Sequence, residues 1–176
     1  MNCFPSLYAS TKSTKNATNI TKYHAGTTTT LPVSVKCATG WTPHSNMCYK
    51  KFTQKVTWTA AEENCKNNGG DLASVKDKAT NDFLKTFWTM DPVTPMAQRA
   101  FWLGGINTQD GGEWKWKWSA DSTVFDSTVK DNWAKGKPSK RTDENDNYLW
   151  LRRDGKWLDD KRKIARRGYF CQKNSE

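Results

Sequence analysis

An α+β fold is predicted, with two helices flanking antiparallel sheets and one long loop region. Three observations predict it. Apolar residues recur at helical spacing over 57–65 and 77–87. Several short segments alternate with period two, most clearly Trp114, Trp116 and Trp118 against Lys115 and Lys117. Between Ser119 and Asn147 a long polar stretch carries few strand signals, and a stretch of that length in a compact domain is uncommon and usually functional.

The elements follow in order. Gly40-Trp41-Thr42 to Cys48-Tyr49-Lys50-Lys51-Phe52 reads as a short hairpin. Thr57 to Cys65 reads as a helix, with Thr57 at its N-cap, acidic residues following, and Gly69-Gly70 as its stop. Trp58, Ala61 and Cys65 share one face, which points Cys65 inward. Leu72-Ala73-Ser74-Val75 is a short strand. A second helix is expected from Asp77 to about Phe87, burying Ala79, Phe83, Leu84 and Phe87, before Asp91-Pro92 and Pro95 break it. Ala100-Phe101-Trp102-Leu103-Gly104 is a buried strand that turns back at Asp110-Gly111-Gly112. Its partner carries the tryptophan stripe, which suits a core face; a stacking platform for sugar or nucleic acid is the less favoured reading. Tyr148–Arg152 and Lys156-Trp157-Leu158 pair across Asp154-Gly155, and Gly168-Tyr169-Phe170-Cys171 closes the chain.

The 176 residues suggest one domain and an appendage. Residues 37–176 form the domain, and about 140 residues bury an adequate core unaided. Residues 1–36 read as a Thr/Ser/Lys-rich disordered stalk without a single Asp or Glu, too polar to offset its ordering entropy. It holds the sequons Asn16-Ala17-Thr18 and Asn19-Ile20-Thr21 and a threonine tract suited to O-linked sugars. No run approaches the roughly eighteen apolar residues of a membrane span. Met1-Asn2-Cys3-Phe4-Pro5 lacks an apolar signal core, so a mature or trimmed form is expected.

The chain has five cysteines, no CxxC pair, and only His24 and His44 as histidines. That composition argues against a zinc cage and favours disulfides, hence a secreted or extracellular protein. No nucleophile–base constellation and no Gly-rich phosphate cradle appears, so an enzyme is not expected.

Cys37, Cys48, Cys65 and Cys171 occur in order with Phe101-Trp102-Leu103-Gly104-Gly105, Glu113-Trp114-Lys115-Trp116 and Gly155-Lys156-Trp157-Leu158-Asp159. In this order and spacing they resemble the C-type lectin-like domain, over residues 37 to 176. The resemblance implies the pairs Cys37–Cys48 and Cys65–Cys171, and it identifies the polar stretch with the family's long loop region. Cys3 is then left over, either linking two chains into a dimer or remaining a free thiol.

The resemblance also implies a calcium-dependent sugar site, and here the sequence departs from it. The family's calcium binders use a Glu-Pro-Asn or Gln-Pro-Asp triplet in the long loop, a later acidic residue, and Trp-Asn-Asp. This chain has Lys137-Pro138-Ser139 and Trp157-Leu158-Asp159, so only Asp146 and Asp159 match ligand positions. Calcium wants six to eight oxygens, and an ammonium stands where one ligand should be. No cofactor is expected, and no calcium at the usual sugar site. Asp143, Glu144, Asn145 and Asp146 could hold a displaced ion, but a solvated acidic loop is the preferred reading. The family's inner loop disulfide is missing too, since Tyr148 and Arg162 stand near its cysteine positions.

Net charge is +10. The tail holds four lysines, which leaves 24 basic and 18 acidic residues, +6, on the domain. Lys135, Lys137, Lys140 and Arg141 cluster in the long loop; Lys161, Arg162, Lys163, Arg166 and Arg167 precede the last strand. The resemblance places both groups towards the loop end. There they suit a ligand-binding face for an anionic glycan or a microbial surface, with heparin-type binding as the simplest case. Keeping a tryptophan-rich domain soluble is the bland alternative. A module that binds an acidic protein face through the same residues, as a receptor ligand, toxin subunit or matrix component, is the competing function. A calcium-dependent lectin is less favoured, and nucleic acid is not expected as a partner.

Overall fold

The structure is a computed structural model, and it describes residues 35–89, 100–139, 147–161 and 166–176. Residues 1–34 of the proposed stalk, with Cys3 and the two sequons, and the prolines after the second helix lie outside the described residues.

A short hairpin opens the domain, β1 (Thr42–His44) and β2 (Met47–Val56), with Thr42 opposite Tyr49. Helix α1 (Trp58–Asn67) follows, then β3 (Asp71–Leu72), α2 (Lys78–Thr89), β4 (Ala100–Asp110) and β5 (Glu113–Trp118). A 3-10 helix at Ser127–Asn132 interrupts the long loop before β6 (Asn147–Arg152), β7 (Trp157–Lys161) and β8 (Arg167–Asn174). The strands form one sheet in the order β1-β2-β8-β4-β6-β7, with β3 also on β8 and β5 also on β4. The sheet is mixed, because β8 runs parallel to β4 while the other pairs are antiparallel. The last strand inserts between β2 and β4, a pairing that local alternation cannot reveal.

Helix ends form where the sequence supplies caps. Thr57 Oγ1 accepts from Ala60 N at 3.4 Å, and Asp77 Oδ1 accepts from Thr80 N at 2.7 Å. Glu62 and Glu63 fall beyond the first turn of α1 and do not serve its dipole. Strand β3 stops at Leu72, shorter than the expected Leu72–Val75. In α2 the inward face is Thr80, Asn81, Leu84 and Trp88, with Phe83 and Phe87 half-buried, while Ala79 is exposed. The expected face was therefore rotated by about one residue.

Period-two alternation divides the core between the two helices. Trp102, Tyr148, Tyr169 and Cys171 pack with Trp58, Ala61 and Cys65 of α1. Their strand neighbours Phe101, Leu103, Leu149, Leu151 and Phe170 pack with Leu84 and Trp88 of α2. Gly105 is required by contact: a Cβ there would lie 2.7 Å from Leu149 Cβ and 2.8 Å from Phe125. Both expected disulfides are present, Cys37–Cys48 and Cys65–Cys171, closing separations of 11 and 106 residues. In the chain-entropy model closures of this kind contribute about 3 and about 4.7 kcal/mol.

The tryptophan stripe is largely core. Trp118 is buried, and Trp116 packs on Phe125 and Trp133 with ring centres 5.7 and 4.9 Å apart. Phe125 and Trp133 also meet Trp157 at 5.6 and 5.7 Å. The long loop is thus anchored by aromatic residues that its polar composition conceals.

Candidate functional site

The loop end is assembled from the segment after Ala134 and from β7. Ala134 N donates to Trp157 O at 3.0 Å, and Lys137 N donates to Ala134 O at 2.9 Å. This turn, with a cis Lys137–Pro138 peptide, directs Lys137 and Ser139 onto Asp159. The Lys137 ammonium lies 2.8 Å from Asp159 Oδ1 and donates to Ser139 Oγ at 2.7 Å. Ser139 donates to the same carboxylate oxygen twice, from its amide at 3.2 Å and its hydroxyl at 3.1 Å. Burial pushes the Asp159 pKa up, but the Lys137 and Ser139 bonds outweigh it and hold the carboxyl below the usual range.

These residues do not fit a calcium ion. Asp159 Oδ1 already accepts three donors, Leu158 offers no side-chain oxygen, and a positive charge lies within bonding distance of the carboxylate. Asp159 Oδ2 is buried without a partner among the described residues, yet one oxygen is far from the six to eight that calcium takes. Among the described residues no group of three or more His, Cys, Asp or Glu side chains could hold a metal. Asp146 and the loop acids Asp143, Glu144 and Asn145 lie outside the described residues.

The described members of the two basic clusters lie in distinct environments. Lys135 and Arg166 are exposed. Lys137 is three-quarters buried against Asp159. The guanidinium of Arg167 lies between two indoles, 4.3 Å from the Trp102 ring centre and 4.4 Å from that of Trp150. It also donates to Asp160 Oδ2 at 2.6 Å. Burial pulls the Arg167 pKa down, and the Asp160 bond opposes that shift. Lys140, Arg141, Arg162 and Lys163 lie outside the described residues, as does the side chain of Lys161.

Sequence reasoning missed Trp150 as a partner of Arg167. The signal was present, since Arg167 alternates in phase with Tyr169 and Cys171 and therefore shares their inward face. Counting Arg167 with a run of surface charge concealed that phase.

Residues 54–173 match the family described as "Lectin C-type domain". A lactose-binding lectin, l-2, from Anguilla japonica is 37% identical over 82 residues, covering 46% of this chain and 45% of that one. The chain therefore matches about half the length of this relative. The crystal structure of the C-type lectin CEL-I from Cucumaria echinata superposes with a TM-score of 0.65 at 25% identity, covering 80% of this chain and 99% of that one. A calcium-independent type II antifreeze protein structure gives 0.62 at 25% identity, covering 80% and 95%. The motif order, the two disulfides, the two-helix mixed-sheet architecture and the match over 54–173 agree, and the chain belongs to the C-type lectin domain family.

Proposed function

We propose that this domain is a calcium-independent extracellular binding module for an anionic glycan of a cell or microbial surface. The observation that carries the reading is the Lys137–Asp159 pair. The carboxylate that would serve calcium is occupied by a lysine of the same chain, so the loop end keeps its shape without a metal. The likeness to a type II antifreeze protein described as calcium-independent supports this reading.

Anionic recognition rests on charge. The domain sequence carries +6, and Lys135 and Arg166, one from each basic cluster, stand exposed. Guanidinium and ammonium groups bind sulfate and carboxylate through charge-assisted hydrogen bonds, and a cationic face concentrates such ligands.

Heparin-resin chromatography of the full chain, with and without EDTA, tests the reading. Retention beyond physiological salt, about 0.15 M, with no effect of EDTA, is expected. Elution below that salt rejects the anionic glycan and favours a protein partner for the same face. Retention that EDTA abolishes rejects calcium independence.

A further inference from the structure

The Arg167 sandwich is held from three sides. Trp102 and Trp150 are direct cross-strand partners on β4 and β6, and Tyr169, two residues beyond Arg167, is the partner of Trp102 on β8. All four side chains therefore share one face. Asp160 fixes the Nη2 side of the guanidinium.

Two donors in this arrangement have no acceptor among the described residues. Arg167 Nη1 and Trp150 Nε1 are both buried, and no described residue accepts from either. The third indole-face group is different, since Trp102 Nε1 donates to Val56 O at 2.9 Å. Buried donors are almost always satisfied, and each exception calls for an explanation. The deficit has one sign: two donors lack acceptors, and one of them belongs to a full cation. Asp160 balances one positive charge, while the exposed Arg166 adjoins with a second.

We propose that the Arg167–Trp150 edge is a subsite for one anionic group of the ligand, a sulfate or a carboxylate. This inference rests on the anionic-glycan reading and specifies where one charge is taken. A tetrahedral or planar oxyanion presents several acceptors, enough for both Nη1 and the indole N–H, and a planar guanidinium already locked by stacking loses little freedom on binding it. The donor atoms are covered, but Arg167 retains 13% side-chain exposure and Trp150 is only partly buried.

The test uses the full chain labelled with nitrogen-15, following its indole N–H resonances, with Trp150 assigned by its loss in Trp150→Phe. Sodium sulfate, a heparin-derived tetrasaccharide and a non-sulfated hyaluronan tetrasaccharide are titrated separately. The Trp150 resonance is expected to shift and saturate with at least one of them. Trp150→Phe keeps the stacking ring while removing the donor, and it should bind that probe about tenfold more weakly, the worth of one hydrogen bond to a charged group. Response to heparin alone or to hyaluronan as well separates sulfate from carboxylate. An oligosaccharide that binds wild type and Trp150→Phe equally, with the Trp150 signal unmoved, overturns the subsite and leaves the glycan reading standing. A Trp150 shift with sulfate but no oligosaccharide binding supports the subsite and rejects the glycan. No shift in any arm rejects the subsite, with water as the satisfier of both donors.

Discussion

The Lys137 ammonium meets the Asp159 carboxylate at 2.8 Å, and the Asp159 side chain has no solvent exposure while Lys137 keeps a quarter of its own. This asymmetry decides which partner is costlier to remove. Lys137→Met strands a buried carboxylate, and the expected loss lies at the lower end of the roughly 3–5 kcal/mol seen when buried pairs are broken. Asp159→Asn strands only a lysine that can turn to water, so it should cost less. Urea unfolding of both variants measures the order. Equal stabilities, or Asp159→Asn as the weaker protein, would show that the pair does not govern this part of the fold.

Millimolar calcium should leave the thermal midpoint of the wild-type domain unchanged, and so should its removal by EDTA. A ligand that binds only the folded state raises stability with its concentration, so a bound calcium would declare itself as a concentration-dependent rise. Such a rise, traced by differential scanning calorimetry, would mean that oxygens beyond those of Asp159 complete a site.

Acid sensitivity follows from the same pair. Burial alone would raise the Asp159 pKa, but the bonds from Lys137 and Ser139 lower it below its unfolded value. A carboxylate depressed in the folded state contributes stability that is fully present above its unfolded pKa, near 3.9, and is lost as pH falls through the folded pKa. The stability difference between wild type and Asp159→Asn should therefore be flat above about pH 5 and shrink on acidification. Asp110, Asp121 and Asp154 are also depressed, but they are common to both proteins and cancel. A difference that grows on acidification would reverse the assigned shift.

Much of the fold was legible because burial leaves a periodic signature. Trp58, Ala61 and Cys65 at helical spacing, and Tyr148, Leu149 and Leu151 in strand alternation, fall where their pattern places them. The parallel β4–β8 pairing was not legible, since it joins strands over sixty residues apart. The site was read less well for a related reason. Lys137 and Arg167 were grouped by charge and proximity in sequence, whereas the fold turns both inward, one onto Asp159 and the other between Trp102 and Trp150. A long basic side chain buries its stem and finds a partner when its Cα lies on an inner face, and only strand phase reveals that face.

Asn81 ties α2 to the hairpin that leads to Asp159. Its Oδ1 accepts from Trp157 Nε1 at 2.8 Å, and its Nδ2 donates to Gly155 O at 3.0 Å. The side chain is 5% exposed and Trp157 is fully buried, so water has little access to either bond. Asn81→Ala leaves an indole donor and a carbonyl acceptor unpaired, and unpaired buried groups cost about 1–3 kcal/mol each. Because the deleted amide also leaves room for a bridging water, the expected loss is on the order of 2–4 kcal/mol. Asn81→Asp retains the acceptor for Trp157 but turns a carboxylate oxygen towards Gly155 O, so it should not restore the wild-type value. Amide exchange at Trp157 and Asp159 should accelerate in both variants, because the hairpin loses its link to the helix. Wild-type exchange at those two amides, despite a lowered global stability, would show that Asn81 supports the core without positioning the loop end.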